Sequence, residues 1–577
     1  MKRITQKILI LIVSLSLWHA AIAGADSALL PKPDADDGGI SLPPGFRALV
    51  VADNLIVGKT VGTSPERLRG LAVAPNGDIY AKEKLGRILA LRDTNGDGRA
   101  DKIVEFGPEG GGTFIAFHNG YIYHSSTTAV YRYRYIPGEL VPSSPAEVII
   151  HDLPPEIHDH DAKAFAFDDE GGMMVEVGAP YNVYADNDRL QGAKGKPDSD
   201  VAEFLKTHGG YWRFDANKLN QTLKDGVHYS TGHRHSLSLA WQPQSKDFFM
   251  VMMGRDNLDV VAPQFYDALD NAERPSEEMH LLKKGANMGW PYSYWDVIKH
   301  ERMRAPEYGG DNRLRDNNPA FDKPVIAFPG HWAPLQMCLY NGEQFPSRYR
   351  NGMFLAFHGS WNRAPLPQAG YKVVFIPFDA SGMPLGDIAN GGGYYEDFAT
   401  GFSGKDRFVN VWESRYRPCG VAVGPDGSLY VSDTERGRVW RIIYTGDLTP
   451  RPGIAGRQTP TSTYVQIGAD TPGGKIFTAV CATCHMPDGS GVPGMQPSLA
   501  HSGVVGGNSR QLTDVILKGP AAVLPATREK FSNSMPAFAS VYSDEEIASL
   551  VNYLRVNFFP LSPRTTPQEV SARRHAM

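Results

Sequence analysis

The sequence predicts an all-β six-bladed β-propeller followed by a small all-α domain, and three observations lead there. A hairpin theme recurs irregularly between about residues 60 and 445, the texture turns helical after about residue 465, and a Pro/Gly/Thr-rich run separates the two. At 577 residues the chain exceeds what one hydrophobic core supports, so more than one domain is expected.

Each repeat of the theme is an apolar strand, a Gly/Asn/Asp turn and a second strand rich in Tyr, Val and Ile. The six examples are GLAVAPNGDIYAKE, TFIAFHNGYIYHSS, AFAFDDEGGMMVEVG, LSLAWQPQSKDFFMVMMG, MCLYNGEQFPSRYRNGMFLAFHG and GVAVGPDGSLYVSD. The PNG, HNG and PDG turns suit short hairpins, because Gly and Asn tolerate the positive φ of tight turns. Follow-on runs such as VYRYRY, GYWRFD, YKVVFIPFD and RVWRIIYT complete sheets of three or four strands. A repeated antiparallel sheet that cannot bury its own faces stacks radially into a propeller, placed here at 40–445; two separate sandwiches are the alternative.

Residues 446–464, within TGDLTPRPGIAGRQTPTST and just beyond, read as a linker without apolar periodicity. Over 465–562, GGKIFTAVCATCH and SDEEIASLVNYLRVNFF carry apolar residues at helical spacing, the second opened by a Ser543 cap with Glu546 three residues on. The tail, 563–577, is polar and expected to be loose. At the other end, residues 1–23 read as an export signal: a positive MKRITQK, an apolar ILILIVSLSLW and a small-residue site at Ala21-Ile22-Ala23. The apolar stretch is shorter than the roughly 20 residues of a membrane span, so cleavage and a periplasmic or secreted protein are expected, with no transmembrane segment remaining. The formal net charge is -5, and losing Lys2, Arg3 and Lys7 would make it more negative, which gives nucleic acid no electrostatic footing. With only four cysteines this is not a disulfide scaffold; Cys338 and Cys419 are free to bridge or to stay as buried thiols.

The other two cysteines stand in Cys481-Ala-Thr-Cys484-His485, the c-type haem attachment motif. Both thiols add to the porphyrin vinyl groups and His485 comes round on the helical turn to ligate iron. The sixth ligand is expected to be Met535 in NSMPAFA, a soft thioether in a Pro-containing loop before the last helix, with Met486 and Met495 read as packing. The order helix, CxxCH, loop, Met, helix resembles class I cytochrome c, and a His/Met pair suits electron transfer.

A haem needs an electron source, and the propeller carries three candidate constellations. Asp159, His160 and Lys163 stand just before a strand in HDHDAKAFAF; Arg234 is flanked by His233 and His235 in TGHRHSLSLAW; Arg415 and Arg417 are two apart in SRYRPCGVAV. In an extended segment residues two apart point to one side, so the last pair reads as a clamp for carboxylates or phosphates.

These segments, in this order, resemble the quinoprotein glucose/sorbosone dehydrogenase family, soluble six-bladed propellers that hold pyrroloquinoline quinone (PQQ). The resemblance covers about residues 40–445. It implies that His160 is the catalytic base, assisted by Asp159, and that Lys163 and Arg234 face the quinone. It further implies that Arg415 and Arg417 meet PQQ carboxylates, that Arg363 in FHGSWNRAP and His331 in GHWAPLQM lie near the cofactor, and that Gly254 and Arg255 lend backbone carbonyls to a catalytic Ca²⁺. Arg255 departs from the Pro usual in the glucose-oxidising branch. The implied chemistry is proton removal from a substrate hydroxyl with hydride transfer to PQQ, then delivery of electrons to the haem and on to a downstream redox acceptor, near the cofactor mouth. The expected substrate is a sugar, an aldose, pyranose or sorbosone-like compound, or a polyol.

One further metal site is expected in LRDTNGDGRADKIVEF, where Asp93, Asn95, Asp97 and Asp101 fall at EF-hand positions 1, 3, 5 and 9 without the terminal Glu. The rival readings are a calcium-dependent propeller hydrolase of lactonase type with a tethered cytochrome, and a non-enzymatic electron-transfer or docking protein.

Overall fold

The structure, a computed structural model, describes residues 30–56, 67–107, 110–155, 162–447, 468–486, 489, 491, 495–499, 502–558 and 565–576. The expected signal peptide, nearly all of the linker, and Asp159 and His160 lie outside them. The chain divides into two compact units, Met1–Lys32 and Pro33–Met577, and both propeller and helical region lie in the second.

Six blades follow one another along the chain; four are four-stranded antiparallel sheets, while the third extends to five strands through a short parallel pairing of Val227–Thr231 with Ala286–Asn287 and the fourth to six. The innermost strands are Leu68–Val73, Ile115–His118, Phe165–Phe167, Ser238–Gln242, Pro334–Leu339 and Pro418–Val423. The hairpin turns are those the sequence announces. His118 pairs with Tyr121 across Asn119 and Gly120, whose φ values of 45° and 80° are the doubly positive pair a two-residue turn needs to match strand twist. The ring closes with a strand from the beginning of the chain. Gly45–Ala52 pairs antiparallel with Val439–Asp447 as the outer strand of the sixth blade. Trp440 anchors the closure: it is fully buried, and its indole N–H donates to Gly38 O at 3.1 Å. Aromatic side chains fill the gap between the fifth and sixth blades, with Phe46 meeting Phe345, Tyr349 and Phe398 edge to face at 4.7–5.3 Å.

The helical region packs its own core around Phe477, Leu512, Ile547 and Leu554. Its longest helix, Asp544–Phe558, opens on the expected box: Ser543 Oγ accepts from Glu546 N at 3.2 Å and Ser543 N donates to Glu546 Oε2 at 2.8 Å. The tail is not loose. Pro567–His575 is a helix capped reciprocally by Thr566 and Glu569; Val570 is buried in the core, and Arg573 and Arg574 pair with Asp514 and Asp544. No helix among the described residues is long and apolar enough to cross a membrane.

The helical region sits on the outer side of the propeller, against the fourth and fifth blades. Two glycines permit the approach. A Cβ on Gly503 would stand 3.0 Å from Tyr395 O, and one on Gly507 would stand 2.9 Å from the Tyr395 hydroxyl. Asn508 Nδ2 meets His300 Nδ1 at 3.3 Å and Arg510 donates to Lys299 O at 3.3 Å.

Trp440→Ala should lower stability by about 3–5 kcal/mol, as truncation of a buried aromatic does. A urea midpoint, followed by near-UV circular dichroism, that matches the wild type would remove the closure strand from its anchoring role.

Candidate functional site

The inner strands begin at one end of the propeller, where the second strands end, and their loops bring together side chains from distant parts of the chain. Three of these loop residues have left-handed backbone: Lys163 (φ 49°), His331 (φ 60°) and Ala333 (φ 53°). Conformations of that kind in non-Gly residues persist only where the surroundings hold them. For Ala333 the holding group is Glu277. Its Oε1 accepts from Ala333 N at 2.9 Å and its Oε2 from Gly254 N at 2.8 Å. Burial pushes the Glu277 carboxyl up from 4.5 to about 7.

Beside Glu277 lies a buried ion cluster centred on Asp256. Arg234 Nη2 donates to Asp256 Oδ2 at 2.7 Å, Arg189 Nη1 at 2.9 Å, and Asn362 Nδ2 reaches Oδ1 at 2.7 Å. Burial would raise the Asp256 carboxyl, but the Arg234 and Arg189 guanidiniums hold it well below the carboxylate range. His331 is buried and pushed down to about 4 by desolvation, so it is neutral; Nε2–H donates to Asn271 O at 2.8 Å and Nδ1 faces Asp256 at 3.5 Å. In the sixth blade Arg417 donates to Glu435 at 3.0 Å, to Gly359 O at 2.7 Å and to His358 Nδ1 at 2.8 Å. Nδ1 also lies 3.1 Å from Gly359 O, but the shorter bond from Arg417, which can only donate, puts the His358 proton on Nε2, which is buried without a partner. Arg234 Nε is a second buried, unpartnered donor. Lys163 is fully buried at the entry to the third blade.

Several expected assignments change. Arg415 and Arg417 do not form a one-sided clamp: Arg417 turns into the buried network, while Arg415 is exposed and packs 5.1 Å over the Tyr416 ring. Arg363 is not available to a cofactor. It is fully buried, and its donors go to Glu273 at 2.5 Å and to the carbonyls of Ala272, Gly330 and Pro367. The Gly254 carbonyl accepts from Arg234 Nη1 at 3.1 Å, and the Arg255 side chain is bound to Glu307. A calcium ion at these carbonyls would stand beside the Arg234 guanidinium, with Asp256 already committed to that group and to Arg189, so the donor set does not fit it. In the Asp93 loop, both Asp93 oxygens accept from the amides of Asn95, Gly96 and Gly98; Asn95 and Asp97 cap the next amides, and Asp101 binds Thr94. This is an Asx-type turn that satisfies itself. Among the described residues no group of three or more His, Cys, Asp or Glu is arranged to hold a metal. Cys338 and Cys419 are free thiols.

Reading the sequence missed Asp256, Glu277 and His358. Asp256 directly follows the Gly254-Arg255 pair and His358 is the second residue of FHGSWNRAP, but their partners come from segments far away in the chain.

The second site is a cavity of 890 Å³ in the cleft between helical region and propeller. Cys481, His485 and Met535 line it together with the apolar Leu499, Leu512 and Phe538. His485 Nδ1 donates to Pro497 O at 2.9 Å, which leaves the Nε2 lone pair free to ligate. Thiol, imidazole and thioether on one apolar cleft fit a covalent haem, which His485 and Met535 would hold; Met495 is exposed instead. The far wall belongs to the propeller: Phe46, Arg348, Tyr394, Tyr395, Glu396 and Phe398. The haem cleft therefore lies against the outer strand of the fifth blade and not at the mouth of the axial site.

Residues 111–445, more than half of the chain, match the family described as TrAA12-like. The chain belongs to that family. Residues 468–554 match the family described as cytochrome C oxidase, cbb3-type, subunit III. The TrAA12-like propeller is similar to a carbohydrate-active enzyme of family AA12 from Trichoderma reesei (TM-score 0.55, 16% identity, 70% of this chain and 98% of that one). It is also similar to the holo form of the PQQ domain of pyranose dehydrogenase from Coprinopsis cinerea (TM-score 0.53, 18% identity, 72% and 99%). The curated PQQ-dependent pyranose dehydrogenase of Coprinopsis cinerea is 30% identical over 212 residues, 30% of this chain and 28% of that one. The chain spans about half or less of the length of the first curated relatives it matches.

Glu277 gives a pH signature. Its folded pKa lies above its unfolded one, so its contribution favours the fold below about pH 4.5 and is lost as pH rises to about 7. Glu277→Gln should flatten that part of a urea-midpoint profile; an unaltered slope would show that Glu277 is ionised in the fold.

Proposed function

We propose that this protein is an exported quinohaemoprotein dehydrogenase that oxidises a sugar through PQQ at the propeller axis and passes the electrons to a c-type haem on the same chain. One observation carries the reading. A propeller whose axial end holds Lys163, Arg234 and Arg417, with two buried donors left unpartnered, also forms a wall of the cleft that carries CxxCH. The unpartnered Arg234 Nε–H and His358 Nε2–H suit the carboxylates and quinone oxygens of PQQ, since buried donors persist where a ligand completes them. The PQQ named in the Coprinopsis enzyme points the same way.

PQQ, when bound, supplies the two-electron acceptor. The chain supplies the rest. Lys163, Arg234 and Arg417 hold negative charge at the ring, and the Asp256 cluster fixes where Arg234 stands. His160 receives the proton of the substrate hydroxyl, with Asp159 orienting the imidazole. The strained His331–Ala333 loop, tied by Glu277, shapes the fifth-blade side of the pocket. His485 and Met535 hold the haem.

Reconstitution with PQQ, with and without Ca²⁺, followed by aldoses, pyranoses and polyols, should reduce the haem, seen as growth of its α band. Failure with every substrate would reject the proposal. His160→Ala should abolish substrate-driven haem reduction and leave dithionite reduction intact; retained turnover would exclude His160 as the base. Met535→Ala should shift the haem spectrum and lower its potential, whereas an unchanged spectrum would place the sixth ligand elsewhere.

A further inference from the structure

The two sites are separated by the body of the fifth blade, and aromatic rings cross it. Trp332 directly follows His331, whose ring faces Asp256 in the axial cluster. Tyr395 lines the haem cavity. Their ring centroids are 6.2 Å apart, edge to face. A second line of contact runs from Trp332 to Phe357 at 5.2 Å, Phe357 to Phe328 at 4.9 Å and Phe328 to Tyr395 at 4.7 Å.

Rings in a propeller are ordinarily packing, and the cluster around Phe46 is an example. Position sets this pair apart: Trp332 follows His331 in the axial cluster, and Tyr395 stands on the haem cleft. The cytochrome also approaches this residue through glycines: Gly503 meets the Tyr395 backbone and Gly507 its hydroxyl.

We infer that Trp332 and Tyr395 form the electron bridge between the axial site and the haem. The inference rests on the proposed transfer from PQQ to haem and names its route. The rings act as a medium for tunnelling and are not themselves oxidised. Lys372 Nζ stands 4.4 Å over the Trp332 ring, and a cation there opposes removal of an electron from it. Each substrate oxidised releases two electrons and two protons. The electrons cross singly, each taking ferric haem to ferrous, and an external one-electron acceptor empties the haem between crossings. The protons leave from the axial side, since nothing in the bridge exchanges them.

The test does not depend on PQQ. Trp361 is exposed at the axial end, on the loop whose Gly359 N donates to Trp332 O. A ruthenium–bipyridyl photosensitiser is attached at Trp361→Cys in haem-loaded, PQQ-free protein, and flash-quench reduction of the haem is timed. Tyr395→Leu and Trp332→Leu should each slow it by about an order of magnitude, while Tyr395→Phe and Trp332→Phe keep it near the parent rate. The hydrodynamic radius and the sites of limited proteolysis should stay as in the parent in all four, which separates a broken bridge from an undocked cytochrome. A parent-like rate in both leucine variants would overturn the bridge. If the flash rates follow the rings but no substrate ever reduces the haem, the bridge stands and the dehydrogenase reading falls.

Discussion

A single buried carboxylate, Asp256, organises the axial end of this propeller. Two guanidiniums, an amide and a neutral imidazole converge on it from residues 189, 234, 331 and 362. Removing one partner from such a cluster leaves an uncompensated charge in a dry interior, which is far more damaging than losing an exposed pair. The arrangement therefore locks the loops of three blades to one another. It sets where Arg234 stands and, through Asn362, where the 359–368 loop lies. Glu277 does for the backbone what Asp256 does for the side chains, tying Gly254 to the strained Ala333. Both groups act by position, and neither has to touch a substrate to matter.

The two candidate sites meet in the fifth blade. Its inner entry carries His331 and Trp332, and the run into its outer strand carries Tyr394, Tyr395 and Glu396 on the haem cleft. Arg348 pairs with Glu396 at 2.6 Å inside that wall. The fifth blade is thus at once part of the axial site and part of the haem cleft. This explains why the helical region can lie beside the propeller, away from its mouth, and still be near the chemistry.

Hairpins and haem motif were legible because their signals are local. Asn119-Gly120 states its own turn, and Cys481 through His485 state their own cofactor. The terminal helix was missed although Thr566-Pro567-Gln568-Glu569 is a capping box, because the helix it opens buries only Val570 and shows no apolar stripe. Arg363 was misread for the opposite reason. A conspicuous cation suggested an anionic ligand, whereas its ligands are the carbonyls of its own neighbourhood and Glu273. Asp256 could not be read at all, since its meaning lies in partners spread over 174 residues from Arg189 to Arg363's neighbour Asn362, a convergence only the folded ring supplies.

The wall that Phe46, Tyr395 and Phe398 present to the cleft bears on access to the cofactor cysteines. Thioether bonds to Cys481 and Cys484 require an open approach for the porphyrin and for whatever machinery attaches it. Once the helices have settled against the propeller, that approach is closed on one side. Cys484 keeps its exposure beside that wall, and the glycines at 503 and 507 set how closely the wall stands to the cleft.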